Sequence, residues 1–174
     1  RLRVQARAAL LLGMAVYLAY GLIDYWLLEA TQRADIWLIR AVAVLIALGV
    51  FAFTYSAAFA RASSLPLALA GFVAGASLLL VFDRIPSALL GHYYVGLVLI
   101  AFFGFNLVGA RFIHALMVNL VLFGLYNFYV WDRPGVDSVM LWSHDFFLVS
   151  ANVLGGAAGY MAERQRRQLF LRER

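Results

Sequence analysis

Six polar side chains stand where a lipid bilayer would make them expensive. Asp24, Arg40, His92, Asn127, His144 and Asp145 lie near the ends of long apolar runs, at a similar depth in five different runs. Charged groups at such depth face a partner or a wet cavity and are functional candidates by default. Arg40 has the chemistry of an anion anchor. His92, His144, Asp145 and Asp24 could surround a ligand there, with Asn127 beside them and Trp37 and Tyr93 as aromatic walls. On this reading the four groups Asp24, Arg40, His92 and Asp145 approach one another around an outward-opening pocket for a small or lipid-like ligand. The structural alternative is an ion-pair network in which Asp24, Arg40 and Asp145 satisfy each other. Long side chains close to the interface can also snorkel to it.

Sharper chemistries find less support. Ser143-His144-Asp145 contains the letters of a hydrolase triad, but neighbouring helical residues point roughly 100° apart. No GxSxG element accompanies it. His92 and His144 lack an HxxxH or HExxH partner, so no metal or haem site is expected. His114 belongs to the opposite end, near Arg111. The chain has no cysteine and no lysine, all fourteen basic residues being arginine. Disulfides, thiolate chemistry, Schiff bases and P-loop chemistry are excluded. No cofactor is expected.

The elements that must position these groups are membrane helices. Hydrophobic residues make up 65% of the 174, against about 45–50% in soluble domains. The mean hydropathy is +0.86. A span needs about 20 mainly apolar residues. Six segments qualify, Ala8–Leu28, Ile36–Tyr55, Leu65–Phe82, Leu89–Val108, Phe112–Val130 and Leu141–Met161. Polar Glu29–Asp35, the Arg61-Ala62-Ser63-Ser64 stretch, Asp83–Ser87 and Asp132–Gly135 punctuate them. Gly109-Ala110-Arg111 implies a tight hairpin. The expected fold class is all-α, a polytopic six-helix bundle, with residues 1–161 forming the membrane domain.

Arginine placement gives an orientation. One side receives Arg1, Arg3, Arg7, Arg61, Arg111, Arg164, Arg166, Arg167, Arg172 and Arg174; the other receives Arg33, Arg84 and Arg133. The positive-inside rule then puts both termini in the cytoplasm. Trp26, Trp37, Trp131 and Trp142 fall at the outer interface with Tyr25, Tyr93, Tyr94 and Tyr129. The arginines are spread over helix ends rather than gathered in one patch, which does not fit nucleic-acid binding. The expected partner is membrane lipid, and the expected location is a cell membrane with both termini on its cytoplasmic side.

Two small-residue motifs, Gly71-xxx-Gly75 and Gly155-xxx-Gly159, allow close helix approach. They serve either packing inside one bundle or, for the second, a dimer seam. After Met161 the chain runs through Ala162-Glu163-Arg164-Gln165-Arg166-Arg167 without Gly or Pro. An unbroken helix to at least Leu169 is expected, because these are strong helix formers. Residues 162–174 read as the start of a cytoplasmic signalling helix, and the chain as the membrane part of a longer protein.

The pattern Asn152-xx-Gly155-xxx-Gly159-Tyr160-xx-Glu163-xx-Arg166-Arg167-xx-Phe170 resembles the exit of six-helix membrane-associated sensor domains of bacterial signalling proteins. Those domains precede class III adenylate/guanylate cyclase domains or GGDEF diguanylate cyclase domains. The specific part covers residues 150–174. No cyclase residue is present, so no catalytic role is carried over. The resemblance implies a parallel homodimer, with Gly155, Gly159, Tyr160, Glu163, Arg166, Arg167 and Phe170 on the dimer and signal helix. It also implies a ligand sensor that regulates an attached nucleotide cyclase. A stand-alone transporter or channel, or a histidine-kinase receptor, are the alternatives.

Overall fold

The structure, a computed structural model, describes residues 2–106 and 110–172. It is all-α, with no strand among the described residues. Long helices are α1 (Leu2–Leu27), α2 (Ala30–Phe53), α4 (Ser64–Arg84), α5 (Leu90–Asn106), α6 (Phe112–Val130) and α7 (Ser138–Arg172). A four-residue α3 (Phe59–Ala62) and a 3-10 turn (Ser87–Leu89) precede α4 and α5. Val108, the expected end of the fourth segment, and Gly109 lie outside the described residues.

Among the described residues, five helices are long and apolar enough to cross a membrane: α1, α2, α4, the run Ser87–Phe105, and α6. The remaining segment is helical throughout as α7, but Ser143, His144, Asp145, Ser150, Asn152 and a cluster of Gly and Ala dilute its hydropathy. Large apolar side chains cover the outside of the bundle. Phe128 is 82% exposed, Trp26 79%, Trp131 77% and Trp142 74%, surface that water would not tolerate over this extent. The chain is therefore described as a membrane protein.

Helix ends depart from the sequence expectations for a common reason. The last carbonyls of a helix lack intrahelical donors, and arginines supply them here. Arg33 Nη2 donates to the carbonyls of Tyr25 (3.0 Å) and Leu28 (2.9 Å), closing α1. The polar stretch 29–35 is thus mostly the first turn of α2, and the break shrinks to Leu28 and Glu29. At the opposite end Arg7 donates to Thr54 Oγ1 (2.9 Å) and the Thr54 carbonyl (3.2 Å), and Arg3 reaches the Ser56 carbonyl (3.2 Å). These contacts close α2 and explain why α1 begins at Leu2 rather than near Ala8. Arg133 binds the carbonyls of Phe82, in the last turn of α4, and of Ile85 just beyond it. Gly135 has φ +82°, so the 132–135 turn requires glycine there.

α4 is the central element, packed on α2, α5 and α6; α1 packs on α2, and α7 lies across α5 and α6. Glycines permit the closest crossings. A Cβ on Gly75 would stand 2.3 Å from Leu122 Cδ1, which fixes α4 against α6. A Cβ on Gly159 would stand 2.9 Å from the Phe105 carbonyl oxygen, and one on Gly155 3.1 Å from the Phe105 ring. The Gly155-xxx-Gly159 face is therefore occupied by α5 of the same chain.

Candidate functional site

Asp24 and Arg40 meet because α1 and α2 form a hairpin with a two-residue break. Arg40 Nε and Nη2 bind the two carboxylate oxygens of Asp24 at 2.6 and 3.1 Å. Both side chains are buried, 4% and 0% exposed. Tyr93 of α5, itself fully buried, donates its hydroxyl proton to Asp24 Oδ1 at 2.6 Å. The guanidinium also lies over the rings of Tyr17 (4.9 Å) and Tyr20 (5.5 Å), a favourable setting for a desolvated cation. Isolated buried charges cost several kcal/mol; here each carries an opposite charge and further polar contacts.

One atom of this network is left over. Arg40 Nη1 is buried and has no hydrogen-bond partner. The surrounding hydroxyls cannot donate to a newcomer. Ser77 Oγ donates to the Ala74 carbonyl (2.8 Å), so the Tyr17 hydroxyl, 2.6 Å away, donates to Ser77. The Tyr20 hydroxyl donates to the His92 carbonyl.

Arg40 also lines a cleft of about 140 Å³ between α1, α2, α4 and α5. Its walls come from Leu10, Gly13, Met14, Tyr17 and Tyr20 of α1, and from Ala43, Val44 and Ala47 of α2. Leu67, Ala70, Gly71, Ala74 and Leu78 of α4 and Gly96, Leu99, Ile100 and Phe103 of α5 complete them. Arg40 is its single charged residue. The cleft follows α1 from Tyr20 to Ala9, roughly 16 Å of helix. Gly71 faces open space there, with nothing within 4 Å of a Cβ.

The other expected site residues gather elsewhere. His144 of α7 is buried, stacked on Tyr94 at 3.7 Å and 12°, and its Nδ1 is 2.5 Å from the Tyr126 hydroxyl. Asn127 Nδ2 donates to Asp145 Oδ1 at 3.0 Å. This second cluster ties α5, α6 and α7 together and leaves no group lining the cleft. The single outer cluster expected from shared depth is thus two clusters, because depth does not fix which face of a helix a residue occupies. Asp145 pairs with Asn127, not with Arg40. His92 is exposed and contributes only its carbonyl, and Trp37 is 46% exposed on the outside of the bundle. Tyr17, Tyr20 and Ser77 belong to the site without having been singled out. Their signal was hydroxyls deep inside apolar runs, with Tyr17, Tyr20 and Asp24 at helical spacing on α1.

α7 leaves this region without a break. It runs 35 residues, roughly 52 Å, against a hydrocarbon core of about 30 Å. Asp137 Oδ1 caps its start through the Met140 amide at 2.6 Å. Further along, Glu163 Oε2 accepts from the Phe112 amide at 2.8 Å and caps the first turn of α6. Tyr160 meets the Phe112 ring edge-on at 5.8 Å. Ser64 Oγ accepts from the Arg111 amide (2.8 Å) and contacts His114 Nδ1 (2.6 Å), joining the starts of α4 and α6. Arg166, Arg167 and Phe170 are on α7, but their side chains lie outside the described ones.

No protein-family model matches the chain, and neither a curated protein nor a solved structure is significantly similar to it.

Proposed function

We propose that the chain is the membrane sensor and anchor domain of a bacterial signalling protein, receiving a small or lipid-like ligand in the Arg40 cleft and regulating a dimeric nucleotide cyclase, adenylate or diguanylate, beyond α7. In this reading α1, α2, α4, α5, α6 and α7 all cross the cytoplasmic membrane and both termini are inside. The carrying observation is α7, one unbroken helix that both packs against the bundle and extends past it as a charged arm. Such a helix passes a shift at one end to the other. A ligand that binds one helix arrangement better than another shifts the population by that difference in affinity.

Two observations support the orientation and the dimer. At the tryptophan-bearing end, Arg84 pairs with Asp35 at 3.1 Å and Asp83 at 3.7 Å, which offsets its charge, and Arg33 and Arg133 are the other arginines that the sequence places on that side. On α7, Val139, Trp142, Phe146, Val149, Val153 and Tyr160 are exposed and recur at spacings of three, four and seven residues, the period of a helix–helix seam. With α5 covering the glycine face, this stripe is the surface on which two copies would meet.

The test is a fusion of the chain, through Arg174, to a class III cyclase catalytic domain in cells lacking their own cyclase. Inserting one to four alanines after Arg164 rotates the output stepwise, by roughly 100° per residue. Cyclic AMP output should rise and fall with the insert and recover near a full turn. Constant output across the series would remove the signalling reading.

A further inference from the structure

We infer that the cleft takes an uncharged, single-chain amphiphile whose carbonyl oxygen accepts a hydrogen bond from Arg40 Nη1, with its hydrocarbon chain lying between α1, α2, α4 and α5. The inference deepens the ligand-sensing role proposed above and rests on it.

Charge decides the head group. The Asp24 carboxylate already neutralises the Arg40 guanidinium at 2.6 and 3.1 Å. An anionic head would add a second buried negative charge beside Asp24, and a cationic head would face Arg40; either leaves net charge in an apolar surround. Hydrogen-bond supply decides its polarity. The protons of Tyr17, Tyr20 and Tyr93 are committed to Ser77, the His92 carbonyl and Asp24. Arg40 Nη1 meets no acceptor at hydrogen-bond geometry, although its guanidinium lies close to the Tyr17 hydroxyl oxygen. A buried donor of that kind is costly until an acceptor reaches it, so the complementary head is an acceptor without charge. Shape decides the rest. The cavity volume of about 140 Å³ is near that of an apolar cavity of roughly 150 Å³ known to hold benzene. That seats a head group and the first few carbons of a slender chain, with the rest of a long chain leaving through the open side of the cleft; a fused-ring sterol or a phospholipid head does not fit. An ester, ketone or aldehyde of a long alkyl chain meets all three conditions.

The experiment compares four probes with one chain length: methyl tetradecanoate, tetradecanoate, tetradecylamine and tetradecane. Each is titrated at pH 8.5 into the purified full chain in lipid nanodiscs, with native mass spectrometry counting adducts and thermal unfolding reporting stabilisation. The ester should bind one per chain, at least about tenfold tighter than the other three. Gly71→Phe, which grows into open space, should abolish binding of all four. Asp24→Asn with Arg40→Gln removes both charges and the guanidinium, leaving a shorter neutral side chain in place of Arg40, and should cut the preference for ester over hydrocarbon to less than about threefold. If tetradecanoate or the amine binds tightest and Gly71→Phe removes it, the cleft is a ligand site but the uncharged head is wrong. If ester and hydrocarbon bind equally to the unaltered chain, the Arg40 contact is wrong. If Gly71→Phe changes nothing, the cleft is not the site, and the ligand-sensing reading falls with the inference.

Discussion

Tyr93 and Tyr94 are consecutive on α5 and serve different buried clusters. Tyr93 donates to Asp24 at 2.6 Å, and Tyr94 stacks on His144 at 3.7 Å. α5 therefore stands between the hairpin that carries the ion pair and the long helix that leaves the bundle. A displacement of Arg40 and Asp24 on α1 and α2 has a direct route through this pair of residues to α7.

The ion pair should be far more sensitive to losing one partner than both. Arg40→Met leaves Asp24 buried and uncompensated and should destabilise the bundle by about 3–5 kcal/mol. Tyr93→Phe removes one hydrogen bond to a charged group, a loss of about 1.5–3 kcal/mol. Asp24→Asn with Arg40→Gln should cost less than Arg40→Met alone. Unfolding midpoints in one detergent rank the three. A double variant as damaged as Arg40→Met would mean that size and shape, not charge balance, hold the site.

Much of this architecture was legible in the chain and part was not. Apolar runs and their punctuation located each long helix, and the lack of Gly or Pro after Gly159 anticipated the continuous arm. Partner choice was hidden. Asp24 and Asp145 share a depth, yet one faces Arg40 across a tight hairpin and the other faces Asn127 on α6. Depth follows from distance along the sequence, whereas azimuth follows from which helices become neighbours. The arginines' partners were hidden for a similar reason. Arg3, Arg7, Arg33 and Arg133 read as charge at the membrane surface, and the structure also uses them as donors for carbonyls at helix ends.

Gly159 and Gly71 should respond oppositely to enlargement. Gly159→Leu forces a side chain against the Phe105 carbonyl, 2.9 Å from the new Cβ. The expected loss is about 1–3 kcal/mol from overpacking, read as a lower unfolding midpoint of the single chain. Gly71→Leu meets no neighbour at Cβ and replaces a glycine inside α4, so it should raise the midpoint, by about 0.5–1 kcal/mol of stability. If Gly159→Leu leaves stability intact and only separates dimers, the glycine face is a dimer seam after all.

The turn at Gly135 offers a local test. Its φ of +82° lies in the left-handed region, and a Cβ would stand 3.3 Å from Ser87 Cβ. Gly135→Ala should cost about 1–2 kcal/mol from backbone conformation alone. Ser87 Oγ also donates to the Pro134 carbonyl at 2.6 Å, so the strain reaches the turn before α5. Proteolysis near residues 132–136 should quicken in the variant; unchanged cleavage would show that the turn adapts without strain.

Glu163 is where the arm is fastened. Its carboxylate accepts from the Phe112 amide at 2.8 Å, at a helix start whose amides lack intrahelical partners and whose dipole favours negative charge. Glu163→Ala removes the acceptor and should cost about 0.5–2 kcal/mol. Glu163→Gln keeps an acceptor oxygen and loses only the charge, so it should recover most of that stability. The fused-cyclase assay then separates two roles. If the contact sets the angle of the arm, Glu163→Ala should shift basal output and blunt the response to the insertion series, while Glu163→Gln stays near the parent. If both variants lose stability in the expected order and output does not move, the Glu163 contact holds α7 to the start of α6 and does not set the angle of the arm.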